Sequence, residues 1–190
     1  MSRNLKIGVD IDGVLANSGL TIIERVNNTH GLNLTPDMVK DYWYNNPEIS
    51  HAKEHIINTW KKSHEDELLV ESPLIKHAQL FNMLPGIVDL ITHRDKLNKI
   101  ATYKWLYKHG FYNYRSIVFV EGPKSQYGPF DYFIEDCMDN VHDLQDHVTK
   151  KILLVNHPYN TDLPTPEKVV RVNCWEEIID FFKNELIRGV

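Results

Sequence analysis

Cysteine is nearly absent from the chain: Cys137 and Cys174 are the only two among 190 residues. Their separation offers neither a zinc spacing nor a disulfide framework, which fits small buried side chains in a reducing compartment. Long apolar runs are missing as well, and none approaches the roughly 20 residues that a membrane-spanning helix requires. The leader MSRNLK runs into Asp10 and Asp12 in place of an unbroken apolar stretch with a small-residue cleavage site, so no export signal is expected. The expectation is a cytoplasmic protein without membrane contact. Positive charge is in deficit too, with 21 Lys and Arg against 26 Asp and Glu for a formal net charge of −5. That balance argues against stable binding of a nucleic-acid backbone but leaves room for a local cationic site that holds a small anion. Internal repeats, low-complexity tracts and flexible linkers are also missing.

What is present is an alternation of strand and helix patterns. Short aliphatic or β-branched runs at 5–11, 86–92, 116–120, 131–136, 151–156 and 168–172 predict strands. Amphipathic patterns fall between several of them, one ending at His109-Gly110 and another following Asn173 as a cap with Glu176 three residues on. The alternation predicts an α/β fold: a Rossmann-like parallel sheet with helices on both faces and its chemistry beyond the carboxyl ends of the strands. Residues 18–84 interrupt it with helical patterns at 19–31, 35–47, 47–63 and 73–86. Gly31 is the stop of the first, and Thr35 with Pro36 is the start of the second. The length suits one domain with an insert. Residues 1–17 and 85–190 are therefore expected to form the core, with a small α-helical cap of residues 18–84 inserted after the first strand and packed over the sheet edge.

In a strand, residues two apart project to the same side, so Asp10 and Asp12 are expected to emerge together where Gly13 lets the chain turn. Paired carboxylates in an apolar setting require a cation or a shared proton. A calcium loop is rejected, because Gly13 follows Asp12 directly and apolar Val14 and Leu15 come next.

Asp10, Asp12, Val14 and Leu15 match D-x-D-x-[TV]-[LV], and the chain here resembles the phosphatases of the haloacid-dehalogenase-like superfamily. Thr92 closing the second strand, Lys124 before the fourth, and Glu135 with Asp136 closing the fourth extend the resemblance along the chain. It implies hydrolysis of a phosphomonoester through an aspartyl-phosphate, with Asp10 as nucleophile and Asp12 as acid and base. It also implies Mg²⁺ as cofactor, held by Asp10, the Asp12 carbonyl and the Glu135/Asp136 pair, with Asp139 a weaker candidate. Lys124, Thr92 and the backbone of His93 are then expected to bind the phosphoryl group. His93 and Arg94 follow Thr92 and can touch phosphate through backbone or side chain, but are equally compatible with a solvated loop pair.

The helical insert, the ITHR strand ending, TYKWLYKHG and HPYN at 157–160 are similar to the 5′(3′)-deoxyribonucleotidase family and its bacterial and phage relatives. That narrower resemblance implies a monomeric or homodimeric enzyme acting on nucleoside monophosphates. A base needs a flat aromatic slot, for which Tyr42 and Trp43, with Trp60, are the candidates; the competing reading is that each packs the insert's own helices. His51 and His55 stand four apart but lack a third ligand. The remaining histidines, His157 among them, are expected at the surface. Two other readings share parts of this pattern: a polynucleotide 3′-phosphatase, and a nucleotide- or phosphate-sensing module without catalysis.

Overall fold

Lys6–Val9 forms a short strand, β1, in which Ile7 and Val9 are wholly buried. Gly8 lies between them because nothing larger fits: a Cβ there would stand 2.3 Å from the Phe133 ring. The computed structural model describes residues 5–188. Five further strands follow, Ile87–Thr92 (β2), Ser116–Phe119 (β3), Phe130–Glu135 (β4), Val148–Val155 (β5) and Val169–Val172 (β6). All pair in parallel in the order β3-β2-β1-β4-β5-β6, with Val9 opposite Leu90 on one side and Ile134 on the other. The chain winds outward in one direction from β1 through β3 and in the other from β4 through β6. The reversal falls between β1 and β4, and the crevice of such a sheet opens beyond the strand ends at that point.

Burial on both faces explains why these strands are apolar runs. Tyr132, Ile134, Leu153 and Val155 face one core with Trp105 and Leu106 of α3 (Lys99–Lys108) and Ile178 and Phe182 of α5 (Trp175–Arg188). Phe133, Ile152 and Leu154 face the other, against Met138, Val141 and Leu144 of α4 (Met138–Leu144). A third cluster stands apart, built from Ile22, Ile23 and Val26 of α1 (Ser18–His30), Ile56 of α2 (Lys53–Lys62), and Leu34, Ile49 and Leu69. No helix among the described residues is long and apolar enough to cross a membrane.

Three expected helices are shorter or of another kind. Over 35–47 only a 3₁₀ turn forms, at Pro36–Met38. Side chains capture the backbone groups a helix needs: the Asp41 carboxylate accepts from the N–H of Trp43 at 3.0 Å and of Asn45 at 2.9 Å, and the Asn46 amide from the N–H of Lys40 at 3.1 Å. The 47–63 pattern starts as a 3₁₀ turn at Ser50–Ala52 before becoming α2. The 73–86 pattern yields a 3₁₀ helix, Ala78–Met83, because Leu74 and Ile75 are first drawn into contact with Ala16 and Leu15. At the start of α5 the Asn173 N–H is capped by Glu177 at 2.8 Å, while Glu176 pairs with His77.

Two indole N–H groups anchor the core to the loops above it. Trp105 donates to the Ser72 carbonyl at 2.7 Å, and Trp175 to the Val14 carbonyl at 2.8 Å in the turn after β1. Trp175→Phe should lower stability in urea unfolding by about 1–3 kcal/mol, the cost of leaving a buried carbonyl unpaired with some loss of packing. An unchanged midpoint would show that the Val14 bond carries no weight.

Candidate active site

β1 delivers Asp10 and Asp12 to the switch point of the sheet. The Asp10 N–H continues the ladder to the Ile134 carbonyl at 3.0 Å, and then the chain turns tightly, with the Leu15 and Ala16 N–H groups both returning to the Ile11 carbonyl at 2.9 Å. Gly13 sits in this turn at φ +74°, and a Cβ on it would lie 2.1 Å from Asp136 Oδ2. Conformation and space thus both demand glycine.

Below the turn lies a buried charge cluster. Lys124 comes from the 3₁₀ turn Lys124–Tyr127 and is fully buried, with Nζ 2.7 Å from Asp10 Oδ2 and 2.8 Å from Glu135 Oε2. Glu135 Oε1 accepts from the N–H groups of Asp136 and Cys137, each at 3.2 Å, and from the Asn140 amide at 3.1 Å. Both Glu135 oxygens are therefore engaged. Asp136 differs: its Oδ2 accepts from the Tyr159 hydroxyl, whereas Oδ1 is buried without a partner.

One ammonium faces three carboxylates, and the proton affinities reflect it. Burial pushes Asp10 up from 3.8 to about 7; Lys124 opposes that rise, and Glu135 and Asp12 add to it. Burial, then the charges of Glu135 and Asp10, raise Asp136 well above the carboxylate range. Burial also penalises ionised Glu135, but the charge and hydrogen bond of Lys124 outweigh it and hold the group below its ordinary value. Lys124 is itself desolvated, yet its two carboxylates hold it firmly protonated.

This donor set fits a hard divalent cation. Asp10, Glu135 and Asp136 can each offer an oxygen within 4.8 Å of the others, and the buried Asp136 Oδ1 has no hydrogen-bond partner among the described residues. Asp136 Oδ1 is the unengaged oxygen; each Asp10 oxygen already accepts one donor, Lys124 at Oδ2 and the Ile11 N–H at Oδ1, and keeps a lone pair, while Glu135 is committed to Lys124, Asn140 and backbone.

Asp12 faces the other way. The Arg94 guanidinium, wholly buried, reaches both of its oxygens from Nε at 3.1 and 3.0 Å and Oδ1 again from Nη2 at 2.7 Å. Ser18, the first residue of α1, donates to the same oxygen, and Arg94 also donates to Ser18 Oγ at 3.1 Å and Thr102 Oγ1 at 3.2 Å. Arg94 is thus no solvated loop residue. Thr92 is buried, with Oγ1 accepting the Arg94 N–H at 3.1 Å. His93 is exposed and turns Nε2 to the Gly122 carbonyl at 3.0 Å; partial burial and then Lys124 lower its proton affinity.

A cavity of about 530 Å³ opens above these groups, lined at its floor by Asp10, Asp12, His93 and Asp136 and at its walls by Tyr42, Trp43, Tyr44 and Trp60. Tyr42 meets Trp43 edge-to-face at 5.2 Å and Tyr159 at 5.5 Å. Trp43 Nε1 donates to Asp139 Oδ2 at 2.9 Å, and Trp60 Nε1 to the Tyr44 hydroxyl at 3.1 Å. Thr92, Lys124 and Glu135 lie outside the cavity lining, behind the floor. His51 and His55 join no metal-type cluster among the described residues; His55 stacks on His30.

The residues that single-position reading overlooks are Ser18, Tyr159 and Asn160; Arg94, read as a phosphate contact or a solvated residue, binds Asp12 instead. His157, expected at the surface, is half-buried and donates from Nε2 to the Gly13 carbonyl at 2.7 Å. Only the HPYN string as a whole signalled this loop.

The raised Asp10 has a direct consequence. Because the folded chain binds that proton more tightly than the unfolded one, metal-free protein loses stability through Asp10 as pH rises from about 4 toward about 7. Asp10→Asn removes this loss. In EDTA-treated samples its stability advantage over the wild type should grow by at least about 1 kcal/mol between pH 5 and pH 8. A difference independent of pH would contradict the buried-carboxylate account.

Known proteins resemble this chain in sequence and in fold. The family described as "5' nucleotidase, deoxy (Pyrimidine), cytosolic type C protein" matches residues 3–186. The protein named "Putative nucleotidase BH1399" from Halalkalibacterium halodurans is 22% identical, covering 92% of this chain and 91% of its own. YfnB of Bacillus subtilis, described as a HAD-hydrolase bound to magnesium, superposes with a TM-score of 0.61 at 13% identity over 96% of this chain and all of that one. The HAD-superfamily hydrolase GSU2069 of Geobacter sulfurreducens does so with a TM-score of 0.55 at 14% identity, over 94% and 96%. The fold is that of the haloacid-dehalogenase-like hydrolases, and the chain belongs to the deoxy (pyrimidine), cytosolic type C family of 5' nucleotidases.

Proposed function

We propose that this chain hydrolyses nucleoside monophosphates, deoxyribonucleotides foremost, by transferring the phosphoryl group to Asp10 and then to water. The observation that carries the reading is the pairing of Asp10 with buried Lys124, beside the unpartnered Asp136 Oδ1, at the floor of an aromatic cavity. The family match and the nucleotidase name of the Halalkalibacterium relative support it.

In this reading Asp10 attacks phosphorus and the ester oxygen departs with a proton from Asp12. Asp12 then takes a proton from the water that cleaves the aspartyl-phosphate. Arg94 and Ser18 fix the plane of the Asp12 carboxylate for both transfers. Lys124 offsets the negative charge of Asp10 and the incoming phosphate, and Glu135 holds Lys124 in place. Thr92 and the His93 backbone steady the phosphoryl oxygens. Mg²⁺, held by Asp10, the Asp12 carbonyl and Asp136, supplies when bound the remaining positive charge that an anionic nucleophile and an anionic substrate require. Magnesium in the YfnB structure supports that choice of ion.

Residues 18–84 act as the cap. The Tyr42–Trp43 edge pair and Tyr44 with Trp60 provide flat apolar walls opposite the carboxylates, at the place where a base attached to the scissile phosphate would lie. A cavity walled by cap residues suits a single nucleotide better than the end of a polynucleotide strand, and the net charge of −5 disfavours a polynucleotide backbone.

A phosphate-release screen with Mg²⁺ over nucleoside monophosphates, sugar phosphates and a 3′-phosphorylated oligonucleotide should favour the mononucleotides. EDTA should abolish turnover, and so should Asp10→Asn in a folded protein. Trp43→Ala should lower kcat/KM for nucleotides about tenfold or more, on the order of one stacking contact, and change that for glycerol phosphate less than about twofold. Preference for the oligonucleotide, or no phosphate from any substrate, would defeat the reading.

A further inference from the structure

The turn after β5 touches the acidic cluster at three places, none of which the proposed reaction uses. The Tyr159 hydroxyl donates to Asp136 Oδ2. The Asn160 amide, buried, donates to the Asp136 backbone carbonyl at 2.7 Å and to the Val155 carbonyl at 2.8 Å. His157 donates to the Gly13 carbonyl at 2.7 Å and stacks on the Tyr159 ring, centroids 5.0 Å apart and nearly parallel. Side chain and backbone of Asp136 are thus pinned by adjacent residues of one turn, which also grips the loop carrying Asp12.

The turn itself is braced. Asn160 Oδ1 accepts the His157 N–H at 3.0 Å, and Arg171 donates to the Asn160 carbonyl at 2.9 Å and the Leu163 carbonyl at 2.7 Å. This matters because a carboxylate has two equivalent oxygens and free rotation about its last bond. With Oδ2 tied to a phenol and packed where Gly13 leaves room, Oδ1 is the oxygen left for a ligand, and it is the one without a partner. An outer hydrogen bond that orients a metal ligand in this way commonly changes metal affinity by about 10–100-fold.

We infer that Tyr159 is a positioning residue for the cation site: through Asp136 it presents Oδ1 to Mg²⁺, and through its ring it carries the wall that meets Tyr42. The second half follows from the 5.5 Å edge contact with Tyr42 and from its packing against the cluster of α1 and α2. One side chain thereby touches both the metal ligand and the wall of the aromatic cavity. This inference rests on the proposed Mg²⁺ site.

Tyr159→Phe keeps the ring and removes only the donor. Isothermal titration of the metal-free protein with Mg²⁺ alone, without substrate, should show affinity falling about tenfold or more, while the unfolding midpoint of the metal-free protein moves little. Tyr107→Phe, an exposed tyrosine away from the cavity and the control, should leave Mg²⁺ affinity within about twofold. Wild-type-like affinity in Tyr159→Phe overturns the inference but leaves the metal site standing; no Mg²⁺ binding by the wild type overturns both. A crystal structure of the wild type with Mg²⁺ gives an answer independent of any variant. Asp136 Oδ1 on the metal with Oδ2 still on the Tyr159 hydroxyl supports the inference, and Oδ2 on the metal overturns it.

Discussion

Everything around the site depends on one buried ammonium. Lys124 has no contact with solvent, and its Nζ lies within 2.8 Å of both Asp10 and Glu135. Burying a charge costs several kcal/mol unless it is paired and hydrogen-bonded, so each neighbour is under constraint. Glu135 must stay ionised, which the N–H groups of Asp136 and Cys137 and the Asn140 amide secure. Asp10 must present one oxygen to Lys124, which directs the other toward its own strand end, where it accepts the Ile11 N–H at 2.7 Å. The third carboxylate, Asp136, is left in excess, and that excess makes a cation the natural complement of the cluster.

A parallel sheet is what allows such a cluster to form. β1 and β4 are neighbours across the winding reversal, so residues 125 apart in sequence, Asp10 and Glu135, end on the same edge. The apolar strands behind them keep water out, and this is why Asp10 is pushed up to about 7. The same surroundings turn modest hydrogen bonds, such as that of Arg94 with Asp12, into firm geometric constraints. Two opposed groups thus share one floor: Asp10 held by Lys124, Asp12 held by Arg94. Proximity without mutual contact is what the proposed division into nucleophile and acid/base requires.

The sheet was legible in the sequence because near-continuous apolar strands have few alternative structures, and the motif residues at their ends were legible because they are spaced by the strand period. Asp10, Lys124, Glu135 and Asp136 lie in one buried cluster, while Asp12 turns to Arg94. The helices at 35–47 and 73–86 were not, since local capture of N–H groups by Asp41 and Asn46, and the early diversion of Leu74 and Ile75, leave no periodic trace. Arg94 and Tyr159 were illegible for another reason. Their partners lie 82 and 23 residues away, and a single arginine or tyrosine near a strand end looks like any surface residue until the fold brings its partner to it.

If Asp10 carries the phosphoryl group, its acyl phosphate can be trapped during turnover. Borohydride reduces an acyl phosphate to the alcohol, so quenching the enzyme with it during turnover of a nucleoside monophosphate and mapping the peptides by mass spectrometry tests the claim directly. Homoserine is expected at position 10 and none at position 12. Reduction at another residue, or steady turnover with position 10 unmodified, would contradict that role for Asp10.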